Sequence, residues 1–463
     1  MSAPNSPGLV RGLGLAGAIA VNVSNTIGTG VFIKARIMTC NVDSPLLVLA
    51  AWFGAGLLVL AGALTFSELA AMLPRAGGEY VFLREAYGPR IAFLQGWTQV
   101  LISRVGAHAA QAVAAAIFFN IVTGGALDGP GLGGLSRIQL ASLVTMALVT
   151  LVNCAPVKTT GKVAGVLTAI KVIVVGGTGI LAFVFADGNW AHYAMSGAAG
   201  KCEGVDAAAR GGLVGFGAAM MGALWGYQGW ANLAPMVGEV RDPARNIPRA
   251  FFFATLIVGS VYVFANASYF YALTPQEVAS APLSSSVATV MLTRIFGAAT
   301  VSAMAAAMLT SSVGAIHTGF AATMRISYAM AADGLLPGAL AKLSAKGVPV
   351  GSALFLGVWI GLLSLSGSYD KLTDYAIFAL WLFYGLTASA VFVLRRRMPK
   401  AERPYRVVGY PVVPGLFVGL SWLLVLNTLW TQPRSALMGL GLMGLGLVFY
   451  AWRQRTSKSV GAG

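Results

Sequence analysis

The segment Asn25-Thr26-Ile27-Gly28-Thr29-Gly30 interrupts the first long apolar stretch of the chain, at the depth where a membrane span should be continuous helix. A span needs about 20 apolar residues hydrogen-bonded as a helix, because lipid offers no partner to a free N–H or C=O. Leu13 to Val23 reads as helix; Ser24, Asn25, Thr26 and two closely spaced glycines do not continue it. Glycine costs roughly 1 kcal/mol in a helix interior, so the segment is built to unwind. Unwound backbone is tolerated at that depth only where protein or a water-filled cavity satisfies it. The break therefore predicts a binding site near the bilayer midplane.

Composition extends the membrane reading to the whole chain. Of 463 residues, 57% are hydrophobic and 10% are charged, against about 25% charged in soluble domains. The chain reads as an all-α membrane protein with no soluble domain of useful size. Its net charge of +16 raises nucleic-acid binding, but the basic residues fall mainly between spans, as orientation signals. No nucleic-acid partner is expected. The apolar stretch after Arg11 outruns a signal-peptide core and lacks a small-residue cleavage site, so no cleavable leader is expected. Cys40, Cys154 and Cys202 offer neither a disulfide framework nor metal-ligand spacing. The expectation is three free thiols, no metal and no cofactor.

Twelve spans are readable, near residues 12–38, 45–70, 90–121, 137–154, 162–186, 212–238, 249–272, 296–328, 350–367, 371–395, 411–430 and 435–452. Lys and Arg favour one set of alternate connections. That set holds Arg75, Arg84 and Arg90 after span two, Arg241, Arg245 and Arg249 after span six, and Arg395, Arg396, Arg397, Lys400, Arg403 and Arg406 after span ten. The opposite set is poorer, with Lys34, Arg36, Arg137, Arg210 and Arg294 among its members. The richer side faces the cytoplasm, which puts both termini inside a multi-pass protein of the cell membrane. Span six repeats the anomaly of span one: Gly215, Gly217 and Gly222 lead into Trp225-Gly226-Tyr227-Gln228-Gly229-Trp230, then Asn232 and Pro235. It runs through the membrane in the opposite direction to span one. The pattern predicts one domain of two inverted five-span repeats, residues 11–187 and 212–396, with spans eleven and twelve and a tail in 397–463.

Four segments then carry a family likeness: Gly28-Thr29-Gly30-Val31-Phe32; Glu68-Leu69-Ala70-Ala71-Met72-Leu73-Pro74-Arg75-Ala76-Gly77-Gly78-Glu79-Tyr80; the span-six break followed by Gly238-Glu239-Val240-Arg241-Asp242-Pro243 and Asn246-Ile247-Pro248; and Arg325-Ile326-Ser327-Tyr328-Ala329-Met330-Ala331-Ala332-Asp333-Gly334-Leu335-Leu336-Pro337. In this order they resemble the amino acid–polyamine–organocation (APC) superfamily, whose LeuT-type fold breaks helices one and six. Gly229-Trp230 and Thr168-Ala169-Ile170-Lys171 carry a finer resemblance to the L-type amino acid transporters and their bacterial relatives. That group often places Asn directly after the Gly-Trp pair; here Ala231 stands there and Asn232 follows. The resemblance implies a secondary active transporter rather than an enzyme, exchanging L-amino acids without sodium by alternating access.

The physics of the breaks agrees with that implication. The outer half of span one begins near Thr29 with free N–H groups and about half a positive charge, which suits a carboxylate. Helix ends near Asn25 to Ile27 and Trp225 to Tyr227 expose carbonyls, which suit an ammonium. The expected binding set is Asn25, Thr26, Ile27, Gly28, Thr29, Gly30, Trp225, Gly226, Tyr227, Gln228 and Trp230. The N–H groups of Gly28, Thr29 and Gly30 would hold an α-carboxylate; carbonyls of Asn25, Thr26, Trp225 and Gly226 would hold the α-amino group. The span-six break has no Asp or Glu, and an unpaired buried charge is costly. Neutral side chains are therefore favoured over cationic ones, and small ones (alanine, serine, threonine, cysteine) over large ones, since Trp225, Tyr227 and Trp230 crowd the pocket; the same aromatics could instead cradle a larger apolar group. Trp225 matches the family's gating aromatic.

Lys171 sits mid-span among Ile170, Val172 and Ile173, where an ionisable residue is a functional candidate. The resemblance implies that its ammonium stands in for the cation of sodium-coupled relatives and tethers spans one, five and eight. Two readings stay open: a fixed charge in an exchanger, or a proton carrier in a symporter. Arg104, mid-span three, either faces the substrate path or pairs with a carboxylate such as Glu68. Glu68, Arg75, Glu79 and Glu239 are expected to pair with loop charges at a cytoplasmic gate. Ser311 and Ser312 could complete the pocket or the Lys171 site, and His108 and His317 read as core histidines. A channel would also tolerate polar breaks, but their inverted pairing favours alternating access. No Asp/His/Cys grouping supports an intramembrane enzyme. Animal members of the L-type group carry a cysteine after span three that joins a heavy subunit. The segment from Gly124 to Ser136 has none, so the resemblance implies a monomer in the lipid bilayer without that partner.

Overall fold

The computed structural model describes residues 9–196, 202–282, 285–365, 369–431 and 433–460. Residues 366 and 367, the end of the ninth expected span, lie outside them. Among the described residues the regular elements are helical, and β pairing is limited to two isolated bridges, Leu13 with Val240 and Pro130 with Ser136. Among the described residues seven helices are long and apolar enough to cross a membrane, and a bent pair makes an eighth.

That bent pair is the first span. Helix α1 (Leu15–Thr26) and helix α2 (Gly30–Val42) meet at 46° across a break of three residues. Helix α3 (Pro45–Met72) follows, then a short α4 (Glu79–Tyr87) and α5 (Pro89–Val122), which contains one π turn at Gln99–Ser103. Helices α6 (Arg137–Asn153) and α7 (Val157–Phe185) complete the first half.

The expected span at 212–238 is only half α-helix. Helix α8 (Gly212–Gly226) ends at the glycine, turns occupy residues 227–233, and a 3-10 segment runs Ala234–Glu239. Gly229 has φ +105°, a conformation that L side chains avoid, and Pro235 cannot supply a helical N–H. These residues stop the helix. Helix α9 (Pro243–Ala272) carries Pro248 in its first two turns. The span expected at 296–328 is α11 (Thr300–Ala332), preceded by a separate α10 (Val287–Phe296). Gly297, at φ +81°, separates the two. Helices α12 (Val350–Leu365), α13 (Tyr369–Arg397), α14 (Val412–Thr431) and α15 (Pro433–Val460) end the chain.

The core centres on α1, which packs against α7, α9 and α11, while α2 lies along α8. The breaks in the first and sixth spans are thereby brought together inside the helix cluster.

The expectation of three free thiols is wrong. Cys40 and Cys202 form a disulfide, and Cys154 is free. Cys40 lies near the far end of α2. The segment after Cys202 is stitched to the same place: Arg36 donates to the Glu203 carbonyl at 2.7 Å, Asn41 donates to the Ala209 carbonyl at 2.7 Å, and Gly211 N–H donates to the Asn41 carbonyl at 2.7 Å. A separation of 162 residues hides such a pairing from cysteine spacing. Denatured without reductant, the chain should take up one maleimide, and three after reduction. Three adducts before reduction, read by intact mass, would exclude the bridge.

Candidate functional site

The two breaks enclose a cavity. One wall is main chain and small side chains: Asn25, Thr26, Gly28, Thr29, Gly30, Gly226, Gln228 and Gly229, with Trp225 beside them and Asn232 below. The facing wall is Arg104, Ala107, His108, Ala110 and Gln111 from α5, with Leu380 and Tyr384 from α13. Three residues expected at the site lie off this wall. Ile27 is buried; its N–H donates to the Val23 carbonyl at 2.9 Å and its carbonyl accepts from Lys171 and Ser311. The Tyr227 ring packs on Trp52 and Tyr262, and its hydroxyl donates to the Trp52 carbonyl at 3.2 Å. Trp230 packs against Phe66, Tyr384 and Phe417.

Glycine is required where the breaks touch. A Cβ on Gly30 would stand 2.9 Å from the Gly226 Cα and 3.1 Å from the Trp225 ring. Gly28 faces open space, with no atom within 4 Å of a built Cβ. The N–H groups of Gly28 and Thr29 have no backbone acceptor. The Tyr262 hydroxyl joins the two breaks, 2.8 Å from the Thr26 carbonyl and 2.9 Å from the Gly226 carbonyl. Trp225 carries the Lys34 ammonium 4.4 Å from its ring centroid, a cation–π contact.

Lys171 closes the other end of the first break. Its side chain is 2% exposed, and Nζ donates to the Ser24 carbonyl at 2.5 Å and the Ile27 carbonyl at 2.8 Å. One turn earlier, Thr168 donates to the Ala20 carbonyl at 2.8 Å. The ammonium thus meets carbonyls left over at the C-terminus of α1, where the helix dipole is negative. Ser311 of α11 donates to the Ile27 carbonyl at 3.0 Å, and Ser24 Oγ donates to the Gly314 carbonyl at 3.3 Å. Ser312 Oγ is buried without a partner. Gly314 makes room for the lysine, since a Cβ there would stand 2.8 Å from Lys171 Cε.

Arg104 is not paired with Glu68. Its Nη2 donates to Glu79 at 2.9 Å, its Nε to Gln99 Oε1 at 2.8 Å, and its Nη1 to Asn232 Oδ1. Asn232 Nδ2 in turn donates to Asn25 Oδ1, and Asn25 Nδ2 to the Ala315 carbonyl at 2.9 Å. One polar chain therefore runs from α4 through α5 and both breaks to α11. Glu79, expected to meet a loop charge, meets this mid-span arginine instead. Both partners are almost fully buried, at 1% and 4% exposure, which a lone charge could not bear. Glu68 takes Arg395 at 2.7 and 2.8 Å and the Val407 N–H at 2.7 Å. Glu239 takes Arg325 at 2.8 and 3.0 Å, and Arg75 meets Glu85 at 3.0 Å. His317 is a satisfied core histidine, with Asn153 at 3.0 Å and the Thr160 carbonyl at 3.3 Å.

The profile of a family described as "Amino acid permease" matches residues 13–448. The chain belongs to the amino acid permease family. This permease is 29% identical over 464 residues to the b(0,+)-type amino acid transporter 1 of Mus musculus, covering 98% of this chain and 91% of that one. It is 30% identical over 446 residues to the large neutral amino acids transporter small subunit 2 of Homo sapiens, covering 96% and 80%. It is 29% identical over 461 residues to the serine/threonine exchanger SteT of Bacillus subtilis (strain 168), covering 97% and 98%. The relatives are amino acid transporters and exchangers, not enzymes, and the permease is a multi-pass membrane protein related to the L-type group.

Four side chains of the permease at or behind the cavity had no site role assigned from the sequence. Tyr262 and Asn232 act through partners far away in the chain, which no local pattern marks. His108 and Gln111 had a signal: with Arg104 they fall at i, i+4 and i+7, one polar stripe on an apolar helix.

Two predictions test the geometry. Lys171→Met should lower thermal stability by about 1–3 kcal/mol, since the Ser24 and Ile27 carbonyls lose a buried donor; an unchanged melting curve in detergent would contradict the contact. Gly30→Ala should cost about 1–3 kcal/mol by forcing two backbones apart, whereas Gly28→Ala should leave the melting temperature within a degree or so and alter the cavity alone. Equal melting shifts in the two variants would contradict the crossing.

Proposed function

We propose that this permease exchanges small neutral L-amino acids (alanine, serine, threonine, cysteine) across the cytoplasmic membrane, independently of sodium, by alternating access. The meeting of two helix breaks around one cavity carries the reading. The N–H groups of Gly28, Thr29 and Gly30 hold the α-carboxylate. The α-ammonium donates to carbonyls of Asn25, Thr26, Trp225 and Gly226; those of Thr26 and Gly226 keep a second lone pair beside the Tyr262 hydroxyl. Gln228 borders the side-chain space, and Trp225 closes over the bound substrate. Ile27, Tyr227 and Trp230 support the site from behind.

Neutral substrates are favoured because the Arg104 charge is already offset by Glu79. Small size and exchange draw support from the bacterial relative described as a serine/threonine exchanger. The Lys171 ammonium between α1, α7 and α11 supplies a fixed positive charge where a coupling ion would otherwise be needed.

Twelve spans form the transport domain, with residues 11–187 and 212–396 as inverted LeuT-type repeats and the basic connections on the cytoplasmic side with both termini. The permease acts as a monomer without a disulfide-linked heavy subunit. The connection from Gly124 to Ser136 has no cysteine, and two of the three cysteines pair with each other.

Proteoliposomes test the reading. Labelled alanine should enter only vesicles preloaded with a small neutral amino acid, at the same rate in sodium or choline buffer. Uptake into empty vesicles driven by a sodium gradient would overturn it.

A further inference from the structure

Helix α5 lines the cavity with Ala110 and with a stripe of Arg104, Ala107, His108 and Gln111, at the i, i+3, i+4 and i+7 positions of one face. Each nitrogen of Arg104 has a partner: Gln99, Asn232 and Glu79. The other two polar members each leave an atom unpaired. His108 is 4% exposed, yet its Nδ1 has no partner, and neither has the buried Oε1 of Gln111. Buried polar atoms left in this state cost free energy and are rare in folded proteins.

The neighbours of His108 fix what its Nδ1 offers. Nε2 lies 3.4 Å from Thr323 Oγ1, and the hydroxyl of Thr323 already donates to the Gly319 carbonyl at 2.8 Å. Thr323 therefore accepts from Nε2–H, and in the neutral ring Nδ1 presents a lone pair. Gln111 Oε1 presents another. Gly319 keeps the ring in this position, since a Cβ there would stand 2.3 Å from His108 Cε1. Two acceptors, one turn apart on α5, thus border the cavity, with the His108 ring beside Asn25 of the first break.

We propose that His108 Nδ1 and Gln111 Oε1 form a side-chain subsite that accepts a hydrogen bond from the substrate, selecting amino acids that carry a hydroxyl donor over isosteres that lack one. The inference rests on the amino acid exchange reading above and adds its specificity. Threonine and valine are nearly the same shape, so the subsite separates them by the hydroxyl alone. A site built around a substrate hydroxyl rejects the analogue without it far more strongly than an apolar pocket rejects a changed methyl group.

The test is competition against labelled alanine in proteoliposomes of the full chain. Threonine should compete at least about tenfold better than valine, and serine should compete better than alanine itself. Gln111→Leu and His108→Phe should each bring threonine and valine close to parity. A wild-type protein that moves alanine but treats threonine and valine alike overturns the subsite and leaves the exchange reading standing. A protein that moves no amino acid overturns the exchange reading itself. A variant that no longer transports is read by thermal protection of the purified protein. Threonine protecting better than valine in either variant overturns the assignment.

Discussion

The structure depends on main-chain groups that are free in the middle of a membrane protein and must find partners there. A continuous span satisfies its own backbone; two interrupted ones cannot. The first break leaves carbonyls at residues 24, 26 and 27, and three side chains from other helices take them: Lys171 reaches Ser24 and Ile27, Ser311 also reaches Ile27, and Tyr262 reaches Thr26. Tyr262 also reaches the Gly226 carbonyl at the second break. The helices around α1 are thus held by hydrogen bonds to exposed backbone as well as by apolar packing. That arrangement suits a membrane, where helix association gains little from the hydrophobic effect.

The same economy explains the buried charges. Arg104 and Glu79 lie deep among helices, and so do Arg325 and Glu239. Each arginine also bonds a neutral group: Arg104 reaches Gln99 and Asn232, and Arg325 reaches the Ala321 carbonyl at 2.9 Å. Satisfying the remaining N–H groups is what makes a buried pair bearable. The Arg104 pair ties α4 to α5, and the Arg325 pair ties the segment after the second break to α11.

Much of this was legible in the sequence where the cause is local. Gly28, following Asn25 and Thr26, marks the first break, and Gly229 with Pro235 marks the second; the breaks could be read from residue type and position. Lys171 was legible because a charge between Ile170 and Val172 has no local explanation. Pairings across long separations were not. Glu79 with Arg104, Asn232 with Asn25 and Cys40 with Cys202 depend on how helices pack, which one sequence does not display. His108 stands between these cases: its helical spacing from Arg104 and Gln111 was visible, but its unsatisfied nitrogen appears only when Thr323 and Gly319 are in place.

The π turn at Gln99–Ser103 has a geometric meaning of its own. A π turn accommodates one residue more than the α-helical repeat, and one residue corresponds to about 100° of rotation about the axis. The helix before and after it is therefore out of phase by that angle. Residues 89–98 address one set of neighbours, while those from Arg104 onward are swung round to another. Shortening the segment by a single residue would restore a regular spiral and turn the whole polar stripe into the surrounding hydrocarbon or helix packing, although no cavity residue had been altered.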